Sequence, residues 1–279
     1  MVNSILIPVD GSAYSKTALQ YGIYIAKKIG AGLIGLHVID IKIIQGPLMG
    51  EIAFYSNVPA SYEFIPKIEE ALQSRGEKIL ESFRETCALS GIKPELKLIK
   101  GLIDETIILE GENADWTLLA QRGEHFHLTK GTFLGTTAEA VVRKLKKPVL
   151  ITPQDFIEIE SIGLAYDGSP SAHNALKLAA ELSEKTKWPL TIIIVTDDHE
   201  TGSKLSSKCE IFLESYEIDS DIVILNGHED REILKFIREG SVELMIMGAF
   251  GHGRVREFFL GSTTSCIIRK SPIPVLLTH

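Results

Sequence analysis

The sequence has 279 residues, 44% hydrophobic and 24% charged, a balance that allows one large domain or two of ordinary size around a real core. A formal net charge of −8 with no basic block excludes a general affinity for nucleic-acid phosphates, which needs clustered Lys and Arg. No apolar run reaches the roughly 18–20 residues that span a bilayer, and MVNSILIPVDG lacks the charged and long apolar segments of an export signal, so a cytoplasmic protein is expected.

In chain order, SILIPV is apolar on both faces, as a strand of a covered parallel sheet must be. Asp10-Gly11-Ser12 leads into a helix whose stripe Ala18, Tyr21, Gly22, Ile25 follows the spacing i, i+3, i+4, i+7. The second strand, LIGLHVI, ends at His37-Val38-Ile39-Asp40. Residues 41–63 carry Gly46, Pro47, Gly50, Pro59 and scattered Tyr and Phe, and read as an ordered excursion before a long helix over about 65–90. A last apolar strand covers 148–152, and a join to the rest of the chain lies near 153–160.

Beyond the join the same order begins again. Asp10 pairs with Asp167 at an offset of 157 (167 − 10), which also pairs Ala18-Leu19 with Ala175-Leu176; the helical stripe recurs as Ala175, Leu178, Ala179, Leu182. Towards the end of each half, Gly135 pairs with Gly261 at an offset of 126 (261 − 135), and the strand 148–152 pairs with 274–278. The first half therefore carries 31 extra residues (157 − 126). Two copies of this length are domains rather than solenoid units, whose repeats run about 20–50 residues. The expected fold class is α/β: two tandem, doubly wound, five-stranded parallel-sheet (Rossmann-like) domains, over 1–153 and 160–279.

In such sheets ligands sit beyond the strand C-termini, where the strand order reverses. There the second half places Asp167-Gly168-Ser169 and the stretch from Met247 to Thr264, which reads G-x-x-G, nine residues, then G-S before a helix. Gly248 and Gly251 let main-chain N–H groups approach phosphate oxygens. Gly261-Ser262-Thr263 opens a helix, whose unsatisfied N–H groups and positive dipole end favour an anion. His252, Arg254 and Arg256 add positive charge nearby.

This spacing resembles the ATP-binding motif of the universal stress protein family, G-2x-G-9x-G-(S/T), with Met247 at the hydrophobic position before it. The D-G-S turns, the strand ending His37-Val38-Ile39-Asp40 and the two P-V-L strands agree, so the resemblance covers nearly the whole chain. It implies a tandem, two-domain member whose second half binds ATP. Asp167 would contact the adenosine part, the Val195 main chain the adenine, and Met247 and Gly248 the base and ribose side. Gly251, Gly261, Ser262 and Thr263 would hold the phosphates. The family often has Lys or Arg after the second glycine; here His252 and Gly253 follow, and Arg254 takes over that charge. A Mg²⁺ ion could accompany the phosphates, although no acidic ligand set is apparent.

The first half is a poorer copy, expected to carry a degenerate motif. Ala120 replaces the first glycine and eleven residues, not nine, separate Gly123 from Gly135. His125 and His127 read as solvated loop residues, and Lys130-Gly131-Thr132 has the wrong order for a phosphate loop. Cys87, Cys209 and Cys266 are too widely spaced for a disulfide framework or zinc site. No nucleophile–base pair or carboxylate dyad is visible, so the leading expectation is a regulatory nucleotide-binding protein of stress response, at most a weak hydrolase. A slow ATPase and an interaction module with a vestigial site are the alternatives. Family members of one domain commonly dimerise through the last strand; the resemblance implies that here the two terminal strands pair antiparallel within the chain as a pseudo-dimer, with a further homodimer left open.

Overall fold

The computed structural model of the protein describes residues 2–45, 64–123, 135–249 and 260–279. The first half runs β1 (Ser4–Pro8), α1 (Ala13–Ile29), β2 (Gly32–Asp40), α2 (Ile41–Gln45), α3 (Phe64–Leu89), β3 (Glu95–Gly101), α4 (Ile103–Glu112), β4 (Trp116–Ala120), α5 (Thr136–Lys144) and β5 (Val149–Thr152). The second runs β6 (Ile162–Ala165), α6 (Pro170–Thr186), β7 (Leu190–Val195), α7 (His199–Leu213), β8 (Ser220–Leu225), α8 (Glu229–Arg238), β9 (Leu244–Gly248), α9 (Ser262–Lys270) and β10 (Val275–Thr278). The long helix expected over 65–90 is α3. Of the excursion over 41–63, only α2 lies within the described residues.

All ten strands form one sheet, in the order β3-β2-β1-β4-β5-β10-β9-β6-β7-β8. Each half contributes five parallel strands, and the two sets meet at β5 and β10, which pair antiparallel with Val275 opposite Ile151, Leu276 opposite Leu150 and Leu277 opposite Val149. The antiparallel pairing of the terminal strands is thus present. Val149, Ile151, Val275, Leu276 and Leu277 are fully buried, because the strands that would have been edges of separate domains are the centre of the joint sheet. Apolar side chains of α1, α3, α6 and α7 pack on one face of that sheet and those of α4, α5, α8 and α9 on the other. The α1 stripe read from the sequence, Ala18, Tyr21 and Ile25, is in the first of these layers.

Local chemistry sets the helix ends. Ser12 and Ser169 accept bonds from the main-chain N–H of Ser15 and Ala172 and so cap α1 and α6, and Pro170 occupies the first turn of α6. Gly30 closes α1 at φ 69; its counterpart after α6 is Lys187 at φ 62. Lys187 holds a left-handed conformation that costs an L side chain about 1 kcal/mol relative to glycine.

The join is built into the molecule rather than strung across it. Ile159 is fully buried, and Phe156 packs on Tyr21 and Tyr24. A ladder from α1 fixes the strap: Thr17 Oγ1 donates to Gln154 O, Tyr21 Oη to Asp155 O and Tyr24 Oη to Ile159 O. Tyr21 Oη also accepts from Ile157 N at 3.0 Å. Burial pushes the Tyr21 phenol up to about 12, so it keeps its proton through the neutral range. Tyr21→Phe leaves the Asp155 carbonyl and Ile157 N–H without this partner and should cost about 1–3 kcal/mol in a denaturant titration. An unchanged unfolding midpoint would show that water replaces both bonds.

Candidate functional site

In the second half the strand order turns back at β6, which has β7 on one side and β9 on the other. The crevice beyond their C-termini is where the loop after β6 and the end of β9 meet, since Ala165 lies opposite Met247. Gly168 sits at φ +78, a conformation that L side chains rarely adopt. Around it Asp167 Oδ1 accepts from Ser169 N at 2.9 Å, which holds the exposed carboxylate at the mouth of the crevice.

Val195 is the last residue of β7. Tyr166 N donates to Ile193 O, whereas Thr196 N donates to Leu225 O on β8. By the two-residue period of a strand, Val195 shares the orientation of Ile193, so its N–H and C=O face the crevice past the end of β6. Its side chain packs in the opposite layer. Met247 is 4% exposed and its side chain lies in that same core layer.

Gly248 is needed for a reason the motif did not reveal. A Cβ there would collide with Ser171 Oγ, and would lie 2.9 Å from Ser171 Cβ and 3.0 Å from Ala172 N. The glycine lets the first turn of α6 close onto β9. Gly261 N donates to Ala249 O at 3.2 Å, bringing the two ends of the loop together. Gly261 precedes α9 with no side-chain cap, so the first-turn N–H groups at Ser262 and Thr263 keep the character of an anion site. Asp167, Val195 and Gly248 thus lie at or just beyond the C-terminal ends of the adjacent strands β6, β7 and β9, and Gly261, Ser262 and Thr263 open the helix that follows β9. Gly251, His252 and Arg254 lie outside the described residues.

The model of the universal stress protein family matches residues 1–153 and again residues 158–279. The chain belongs to the universal stress protein family. A universal stress protein of Synechocystis sp. is 28% identical over 286 residues, covering 99% of this chain and 99% of its own length. One of Bacillus subtilis is 28% identical over 151 residues, 54% of this chain and 99% of its own length. Among solved structures, a universal stress protein from Archaeoglobus fulgidus superimposes with a TM-score of 0.77 at 27% identity, over 99% of this chain and 96% of its own.

The first half of this universal stress protein fills the equivalent place differently. Gln121, after β4, is buried and donates through Nε2 to Ser271 O in the second half at 3.1 Å. Arg122 Nη1 donates to Tyr14 Oη at 3.4 Å, and Arg75 Nη2 from α3 donates to Asp10 O at 3.4 Å. A Cβ at Gly123 would come within 3.2 Å of Asp10 Oδ2. Side chains from α1, α3 and the segment after β4 thus meet beyond the ends of β1 and β4. Residues 124–134, with His125, His127 and Lys130, lie outside the described residues.

An open groove of about 530 Å³ between α6 and α7 is lined by Tyr166, Pro170, His173, Lys208 and Phe212. It borders the Gly168 turn but holds neither the α9 turn nor the Val195 main chain, so it is distinct from the crevice. Among the described residues, no three or more His, Cys, Asp or Glu converge to hold a metal ion, and no helix is long and apolar enough to cross a membrane.

Proposed function

We propose that the protein binds one ATP per chain in the second-half crevice and acts as a nucleotide-responsive regulator in stress response. The observation that carries the reading is the uncapped first turn of α9, opened by Gly261 and tied to the end of β9, the strand beside β6. The residues present fit an adenine nucleotide. Val195 offers a main-chain donor and acceptor to a base edge, Asp167 an acceptor to a ribose hydroxyl, and Ser262 and Thr263 N–H and O–H donors to phosphate. Gly251, His252 and Arg254 complete the set in this reading, and a Mg²⁺ ion would enter on the phosphates.

The two nucleotide-fold domains are taken as 1–153 and 160–279, the β5–β10 seam as an internal pseudo-dimer contact. That leaves β3 and β8 as the outer edges where any homodimer would add. Isothermal titration should give a stoichiometry near one ATP per chain, because Ala120 and Tyr14 stand where the second half has Gly248 and Ser171. Two equivalent sites would sink the asymmetry, and no heat at all would sink nucleotide binding.

A further inference from the structure

The first turn of α9 is tied to the end of β9 by two bonds. One is the main-chain bond from Gly261 N to Ala249 O, which the first half repeats between Gly135 N and Gln121 O at 2.9 Å. The other joins Thr264 Oγ1 to Gly248 O at 3.0 Å. At the offset of 126, Thr264 corresponds to Ala138, so the first half has no hydroxyl to make that bond. Both positions are 4% exposed. Packing alone would accept a methyl group at either, and the hydroxyl of Thr264 answers to its acceptor.

That acceptor is well placed. Leu244 N donates to Ser161 O on the β6 side of β9. By the strand period Gly248 faces the same side, beyond the last pair of Ala165 with Met247. Its carbonyl therefore opens onto the crevice where no strand continues, and Thr264 reaches it from the helix. The bond fixes the span between the strand end, on the adenosine side, and the helix turn, on the phosphate side.

We propose that the Thr264 hydroxyl is a positioning group that sets this span, so that the site favours a nucleoside carrying a polyphosphate over the nucleoside alone. The inference rests on the nucleotide reading above. A ligand that touches both walls feels the loss of the tether, whereas one that touches the strand ends alone does not.

The test compares ATP and adenosine by calorimetry on the full chain, as wild type, Thr264→Val and Thr264→Ser. Thr264→Val keeps the shape without the hydroxyl; it should lower ATP affinity about tenfold and leave adenosine within about twofold. Thr264→Ser restores the hydroxyl and should restore the ATP preference. Should the valine variant fail to fold, Thr264→Ala, which copies Ala138, carries the same readout. Unchanged ATP affinity, or an equal loss for both ligands, overturns the proposal. A wild type that binds ATP but shows no preference over adenosine also overturns it, and a wild type that binds neither overturns the nucleotide reading and this inference with it.

Discussion

Leu277→Pro should cost at least about 1–3 kcal/mol, the range for leaving a buried ladder partner unsatisfied, and uncouple the two halves. Met245 N donates to Pro274 O and Ala249 N to Thr278 O, so the even-numbered residues of β10 face β9. By alternation Leu276 also faces β9, while Val275 and Leu277 turn their N–H and C=O to β5. Proline at Leu276 would break the second half's own sheet instead. Proline at Leu277, opposite Val149, removes a seam N–H and wedges a ring against β5. Both positions are fully buried in mid-sheet, so neither change can relax into solvent. Wild type should unfold in one cooperative step, with Leu277→Pro splitting it into two at lower denaturant. A single transition at the wild-type midpoint would mean that the strap and helices, not the strands, join the halves.

The repeat made the fold legible. Two copies of strand–helix alternation with matching ends imply two five-stranded sheets, and a charge-free apolar strand at each end implies a strand seeking a partner. The actual outer edges show the contrast. On β3, Lys97 pairs with Glu110 at 2.6 Å, and on β8 Asp221 Oδ1 takes up the outward N–H of Ile222. What was not legible depends on which surfaces meet. Phe156 and Ile159 look like stray apolar residues in a join until α1 supplies Tyr21 and Tyr24. Arg122 and Gln121 resemble loop polars until Tyr14 and Ser271 are beside them. Thr264 sits inside a run of hydroxyl residues, Ser262-Thr263-Thr264-Ser265, and only its helical phase selects it to reach Gly248; comparison with Ala138 was the available signal. Lys187 shows a third kind of limit. Propensity asks for the glycine found at Gly30, and the repeat offset, rather than residue type, marks the left-handed position.

Gly248→Ala should weaken ATP binding by more than tenfold and destabilise the fold by about 1–3 kcal/mol, the usual range for overpacking a closed site. From the motif alone, the glycine admits phosphate or ribose. In the structure the added Cβ points at α6, where Ser171 Oγ, Ser171 Cβ and Ala172 N leave it no room. Relief must come from movement of the α6 first turn, which carries the Asp167–Ser169 loop with it and displaces Thr278 Oγ1 from its bond to Ser171 O. Binding is then lost through a displaced wall rather than an occupied pocket, and Gly248→Val should act in the same direction more strongly. The double variant Gly248→Ala/Ser171→Gly separates the two causes, because it removes the Ser171 side chain that the new methyl would strike. Thermal unfolding and ATP titration should recover together in that variant, in part, because Ala172 N still lies 3.0 Å from the added Cβ. Recovery of stability without binding would place the methyl in ligand space after all, and a single variant with native stability and affinity would show that α6 yields freely at this contact.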